Sequence, residues 1–268
     1  MDVRFDGKTA LVTGGSRGIG YACVEMLLDS GARVAFVGVD GPEAAAAEKR
    51  LAGKGEARGF HFDVANVSAI PGLVKQVRDD FGEIDVLVQA AGLLRGGPAV
   101  DLTEAAWDEV LDVNAKGLFF VMQSVVSQSM IPRKTGSIVN FSSIAGLLGM
   151  AEPLCSAHYS ASKGAVVQIT RQAAVEWAKH GIRVNAVAPG GVNTFASPAV
   201  RPFENGPTGP PPGAPAGPLP DLLDPIPTKR LTEPWEVAAA VCFLASNMAA
   251  NVTGQVLVID GGGSVVGH

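Results

Sequence analysis

Only two residues carry a phenol, Tyr21 and Tyr159, and the second has a lysine four positions downstream. Positions i and i+4 of a helix share a face, so Tyr159 and Lys163 flank one site. A nearby ammonium favours a phenolate and lowers a tyrosine pKa from about 10 towards neutral pH. Such a phenol can exchange a proton with an alcohol or carbonyl oxygen. Sixteen residues before Tyr159 stands Ser143, at the end of a β-rich run. Its hydroxyl could hydrogen-bond the same oxygen. Alone the pair is suggestive only, because nine lysines are spread along the chain.

A second constellation gives it context. The run 9–13 leads into Gly14-Gly15-Ser16-Arg17-Gly18-Ile19-Gly20 and then a helical pattern. Glycines let the backbone turn tightly and approach a pyrophosphate, which rests on the N–H groups of the next helix start. The spacing differs from G-x-G-x-x-G, but the position between first strand and first helix is what that motif requires.

The elements that must position these residues alternate. Strands are predicted over 9–13, 33–39, 58–62, 84–89, 137–141, 183–188 and 255–259. Several are continuous apolar runs, as strands covered on both faces should be. Helices are predicted over 19–29, 43–52, 68–81, 104–130, 157–179 and 234–246. Such alternation implies right-handed crossovers and an α/β fold with a doubly wound parallel sheet of about seven strands. One stretch breaks the rhythm: residues 198–227 hold 11 of the 18 prolines, which excludes a long helix or a central strand there. Too little chain follows it for a second core, so one domain is expected over 1–268, with an excursion at about 194–231.

Composition bounds the function. The 268 residues are 47% apolar and 18% charged, with a formal charge of −5 and no basic run, which argues against nucleic acid as a partner. No apolar stretch reaches the ~18 residues of a membrane span. The charged N-terminus predicts no signal peptide. Cys23, Cys155 and Cys242 lack disulfide or metal spacing, as expected for a reducing cytoplasm. No metal site is predicted.

Together these residues resemble the short-chain dehydrogenases/reductases over nearly the whole chain. Thr13-Gly14-x3-Gly18-Ile19-Gly20 looks like the family's cofactor loop, including Ser16 and Arg17. Tyr159-Ser160-Ala161-Ser162-Lys163 looks like its active-site motif, with Ser143 as the partner serine. Asn114 in Asp112-Val113-Asn114-Ala115 matches the asparagine of the family's tetrad, which holds a water linking Lys163 to solvent. Asp63-Val64 resembles the pair beside the adenine, Ala91-Gly92 the turn after the fourth strand, and Pro189-Gly190 with Val192 and Thr194 the nicotinamide-carboxamide segment. The resemblance implies a Rossmann fold and an NAD(P)-dependent oxidoreductase acting on a secondary alcohol or ketone. Tyr159 is then the general acid/base, and Lys163 also binds the nicotinamide ribose. It further implies a homotetramer built partly on helices 104–130 and 157–179, with 194–231 as a substrate lid.

There are departures. Gln89-Ala90-Ala91-Gly92 replaces the usual Asn-Asn-Ala-Gly or Asn-Ala-Ala-Gly, with local packing as its expected consequence. The Ser143-to-Tyr159 gap is longer than usual, the extra residues falling within 150–155 near the substrate entrance. The acidic residue that reads the adenine ribose would fall on Gly38. Asp40 faces the same way if the strand continues; otherwise it opens the turn Asp40-Gly41-Pro42. Arg17 could pair with a 2′-phosphate, but no basic residue at 38–40 helps it, so the balance favours NAD over NADP.

Other residues are weighed and set aside. His158 points about 100° away from Tyr159 and is expected to be structural or at the substrate edge. Arg95 and Glu152 are expected to be solvated, and Trp107, Trp177 and Trp235 to serve packing or a subunit interface. Leu93, Leu94, Ile144, Leu147, Met150 and Phe195 are expected near the substrate. Two alternatives remain. A 3-oxoacyl-(acyl-carrier protein) reductase would need a basic docking patch, for which the lid region offers Arg201, Lys229 and Arg230. A non-catalytic dinucleotide sensor would not need Ser143, Tyr159 and Lys163 intact.

Overall fold

Alternate residues of each buried strand point to opposite faces, and each face meets its own helices. In β1 (Thr9–Thr13), Ala10 and Val12 enter one apolar core while Leu11 enters another. The same split separates Val86 and Val88 from Leu87 in β4 (Val86–Gln89), and Val139 and Phe141 from Ile138 in β5 (Gly136–Phe141). The computed structural model describes residues 3–150, 155–194 and 226–266. Most of the proline-rich excursion and most of the 150–155 insertion lie outside these described residues.

The remaining strands are β2 (Arg33–Gly38), β3 (Ala57–His61), β6 (Ile182–Pro189) and β7 (Val256–Ile259). All neighbours pair in parallel, in the order β3-β2-β1-β4-β5-β6-β7. This is the expected doubly wound Rossmann sheet, and its winding reverses between β1 and β4, where such sheets open a ligand crevice. On one face lie α1 (Gly18–Asp29), α2 (Gly41–Leu51) and α8 (Pro234–Ala245), with α1 packed along α8. On the other lie α3 (Ile70–Phe81), α5 (Leu118–Val125) and α7 (Ala157–Trp177).

The helix predicted over 104–130 is not uniform. α4 (Glu104–Leu111) and α5 are joined by a π-turn at Asp112–Gly117, and a second π-turn, Val126–Met130, precedes the short α6 (Ile131–Arg133). Each π-turn winds wider than the α-helix and shifts its phase. The first shift leaves Asn114 fully buried on a helix whose preceding turns are largely exposed. Apolar periodicity reports only the average pitch and does not carry this signal.

Gln89 fulfils the packing role expected of it. Its amide donates to Asn140 Oδ1 across β4 and β5 at 2.9 Å, and Asn140 donates to Thr170 Oγ1 of α7, also at 2.9 Å. A buried amide left unpaired costs about 1–3 kcal/mol, so this chain of bonds fixes strand register as well as packing.

The far end of α8 is closed by a partly buried cation. Arg183 of β6 donates to the carbonyls of Leu244, Ala245 and Ser246 at 2.6, 3.1 and 2.9 Å, which are among the orphan acceptors of the helix end. Arg183→Met should therefore lose about 2–4 kcal/mol of stability, read as a lower urea midpoint with an unchanged slope. An unchanged midpoint would mean that water replaces the guanidinium without cost.

Candidate active site

Every strand of the sheet ends on the same edge, and the sequence-derived residues sit in the loops that follow. After β1 the chain turns at Gly14, whose φ is 69°. A Cβ there would lie 2.7 Å from the Ala91 nitrogen, so the loops after β1 and β4 touch at the crevice. The Ala91 N–H also donates to Thr13 Oγ1 at 3.3 Å, and Gly15 N–H donates to Val37 O at 3.1 Å. The first turn of α1 has neither a side-chain cap nor an acidic residue. Its N–H groups and positive dipole end thus suit an anion. A Cβ at Gly20 would overlap the Gly14 carbonyl, which keeps the loop tight.

The outer residues expected to border a cofactor occupy the neighbouring loops. Asp63 folds its carboxylate back to the Ala65 N–H at 2.9 Å, and Val64 is buried. Pro189 ends β6, and Gly190 N–H donates to Ile259 O of β7 at 3.0 Å. Val192 bridges to Thr232, and Thr194 reaches back until its methyl is 4.0 Å from a Cβ position on Gly18. The backbone around 190–194 and the glycine loop therefore border one space.

Asp40 resolves differently from its strand-based placement. β2 stops at Gly38, and Asp40 becomes the N-cap of α2, accepting from the Glu43 N–H at 2.9 Å. Pro42 in the first helical turn favours this early start. The cap moves α2 two residues ahead of its predicted beginning. Glu43, which the sequence reading missed, lies 3.2 Å from Arg17 across the glycine loop. The Asp40-x-x-Glu43 spacing, typical of helix starts, is the signal that marks it.

The residues expected to handle the proton assemble between β5 and α7. Ser142 and Ser143 follow β5, but they face differently. Ser142 is buried and donates to the Lys163 carbonyl at 2.9 Å. Ser143 accepts from the Ala145 N–H at 3.2 Å and lies beside the Tyr159 hydroxyl, lowering its pKa. Ser143 is thus the serine that meets the phenol. One turn on, Lys163 is buried and donates to Phe141 O at 2.8 Å, with Nζ 5.7 Å from the centre of the Tyr159 ring.

The charges differ from expectation in one respect. Burial pushes the Tyr159 phenol above its ordinary value, and Ser143 only partly opposes this. Lys163 was expected to lower it, but its ammonium is held by a backbone carbonyl, and burial brings it down to about 8. Desolvation outweighs the mutual attraction of the pair.

Asn114 is locked from three sides. Oδ1 accepts from Leu93 N–H at 2.7 Å, while Nδ2 donates to Leu93 O at 2.9 Å and to Ser162 Oγ at 3.0 Å. A Cβ on Gly92 would sit 3.4 Å from Lys163 Nζ and 3.5 Å from Asn114 Oδ1, so the ammonium and the amide converge at that glycine. Leu93 and Ser162 are the positioning groups that the motif does not reveal. The structure therefore brings Asn114, Ser143, Tyr159 and Lys163 to one side of the crevice.

Among the residues set aside, His158 is buried away from the phenol, and no hydrogen bond to its ring nitrogens occurs among the described residues. Burial, then the Arg95 charge, hold its pKa down. Arg95 is not a solvated charge as expected: its side chain is 18% exposed and pairs with Glu109 at 2.8 Å. Trp177 is buried, whereas Trp107 and Trp235 are exposed. Leu94 and Leu147 leave apolar surface open beside the site, and Glu152, Phe195 and Arg201 lie outside the described residues. Among the described residues no cluster of His, Cys, Asp or Glu could hold a metal, and no helix is long and apolar enough to cross a membrane.

Residues 14–264 match the protein-family profile described as Enoyl-(Acyl carrier protein) reductase. The chain is 39% identical over 264 residues to D-threitol dehydrogenase of Mycolicibacterium smegmatis, covering 98% of this chain and 95% of that one. It is 34% identical over 260 residues to the 3-oxoacyl-[acyl-carrier-protein] reductase FabG of Vibrio cholerae, covering 97% and 98%. The crystal structure of levodione reductase superposes with a TM-score of 0.87 at 29% identity, over 98% of this chain and all of that one. With the glycine loop, the serine, tyrosine and lysine in place on this sheet, the chain belongs to the short-chain dehydrogenase/reductase family.

Proposed function

We propose that the chain is an NAD-preferring dehydrogenase that interconverts a short polyol, or a similar secondary alcohol, and its ketone. The observation that carries this reading is the Tyr159 hydroxyl set beside Ser143, one helical turn from a buried ammonium and near an anion-ready glycine loop. Similarity to a threitol dehydrogenase supports a polyol. The residues present fit a dinucleotide: the space kept clear at Gly14 and Gly20 and the uncapped α1 start suit the pyrophosphate. Asp63, Val64, Ala91, Gly92, Pro189, Gly190, Val192 and Thr194 would border its two ends. When bound, the nicotinamide accepts hydride from the carbinol carbon or returns it.

The chain's own residues manage the proton. Ser143 holds the substrate oxygen against Tyr159 Oη. In reduction the neutral phenol, which burial favours, gives its proton to that oxygen; in oxidation the phenolate takes it back. Lys163 supplies positive charge beside the phenolate, and Asn114 keeps the ammonium's surroundings fixed. The chain acts in the cytoplasm, consistent with three cysteines outside any disulfide. It assembles as a homotetramer, to which the exposed Trp107 of α4 and Val175 of α7 offer apolar surface.

FabG similarity raises a carrier-protein substrate as the second reading. Against it, Arg230 beside the cleft is committed to Glu236 by contacts of 2.6 and 2.7 Å, which leaves less charge for an acidic carrier. A screen of polyols, cyclic ketones and 3-oxoacyl thioesters, followed by nicotinamide absorbance, separates the two.

Tyr159→Phe should lower turnover by about 10²–10⁴-fold, while NADH binding measured by fluorescence stays within a few-fold of normal. Near-normal turnover would remove Tyr159 from the chemistry. Lys163 gives a stability signature as well. Its folded pKa of about 8 lies below the ordinary 10.5, so below pH 8 folding must bury a charge. That cost fades as pH rises from about 8 to 10.5, where the unfolded chain binds more protons. Lys163→Met should therefore be inactive yet more stable than the parent at pH 7, by about 2 kcal/mol, with the advantage gone near pH 10.5. Lower stability at pH 7 would show that the Phe141 hydrogen bond outweighs the burial cost.

A further inference from the structure

The corner beyond β2 is organised by a carboxylate that belongs to none of the motifs. Gly38, the last residue of β2, has no side chain to offer a ribose, and a Cβ there would lie 2.7 Å from Ser16 Oγ. The buried Ser16 hydroxyl thus fills the space where an acidic side chain would begin. Asp40, the next acid, spends Oδ1 on the α2 cap. Glu43, in the first turn of α2, instead turns its carboxylate across the corner to the glycine loop. Its Oε2 lies 3.2 Å from Arg17 Nη1, and the Ser16 side chain stands nearby. Both members of the ion pair are about three-quarters buried, with exposures of 28% and 27%. Arg50 completes the corner, donating to Ser16 O at 3.3 Å while stacked 5.1 Å over the Tyr21 ring.

A largely buried carboxylate held against a phosphate-loop arginine has two consequences for a dinucleotide. A ribose diol can donate hydrogen bonds to the carboxylate. A 2′-phosphate, with nearly two negative charges, would meet that carboxylate and would have to take Arg17 from it. We infer that Glu43 is the residue by which this chain distinguishes NAD from NADP: it reads the adenosine ribose from α2 in place of an acid at Gly38, and it keeps Arg17 from serving a 2′-phosphate. The inference rests on the dehydrogenase reading above and names the residue responsible for its cofactor preference.

The test is equilibrium binding of NADH and NADPH to the full chain, followed by nicotinamide fluorescence without substrate. Glu43→Gln keeps the shape and removes the charge. It should tighten NADPH binding about tenfold and weaken NADH binding several-fold. Adding Arg17→Ala to Glu43→Gln should abolish the NADPH gain, because Arg17 is the group released. Glu43→Ala, which removes the carboxylate altogether, should shift the NADH-to-NADPH ratio the same way, and this variant decides the matter if Glu43→Gln does not fold. An unchanged NADH-to-NADPH ratio in Glu43→Gln overturns the inference, as does a tenfold loss of NADPH affinity in Arg17→Ala alone. In both cases the parent still binds NADH and the dehydrogenase reading stands. A parent chain that binds neither dinucleotide overturns both.

Discussion

A sheet whose strands all run parallel places every strand's C-terminal end on one edge, and each strand must then be left by a crossover. That constraint puts the loops after β1 to β6 in one row. Reversal of the winding between β1 and β4 parts two of those loops, and the crevice between them receives groups from both halves of the sheet. Gly14 and Ala91 are 77 residues apart by their numbers, yet their backbones leave no room for a Cβ between them. The site is thus a property of topology first and of side chains second.

Within that frame, two polar residues buried at the crevice are each held by main chain. Lys163 and Asn114 would be costly in an apolar interior. Each is bound to main chain, Lys163 to Phe141 O and Asn114 to both polar groups of Leu93. Backbone partners cannot rotate away, so they fix side chains more firmly than other side chains do. The Gln89–Asn140–Thr170 chain extends the same device from β4 through β5 to α7, the helix that carries Tyr159. A substitution in the family's turn motif is thereby absorbed as a cross-strand tie beneath the crevice.

The strands, the glycine loop and the tyrosine–lysine pair were legible because each leaves a local mark. Apolar runs bounded by turn residues place β1, β4, β5 and β6 to within a residue or two. The mark fails where the deciding interaction is distant. Nothing near Asn114 announces a π-turn, whose need arises from Leu93 and Ser162 on other elements. Arg95 reads as surface charge until Glu109 is brought beside it from α4. Asp40 was ambiguous between strand and cap because the choice rests on where β2 stops. Around Tyr159, similarly, spacing supplies the neighbouring charge but not the depth of burial that pushes the phenol's pKa up.

The first and last helices, α1 and α8, lie side by side, and β7 forms the edge of the sheet beyond β6. Gly190 is held by Ile259 O and seated against Asp260, where a Cβ would lie 2.8 Å from the Asp260 Cβ. Thr228 N–H in turn donates to Gly261 O at 3.3 Å. The phosphate loop is made within the first twenty residues of synthesis, but the opposite wall of the crevice has no seat until about residue 261 exists. A growing chain can therefore complete its first core face long before it can grip a dinucleotide at both ends. During that interval β6 is an uncovered apolar edge, and β7 ends its exposure to other chains.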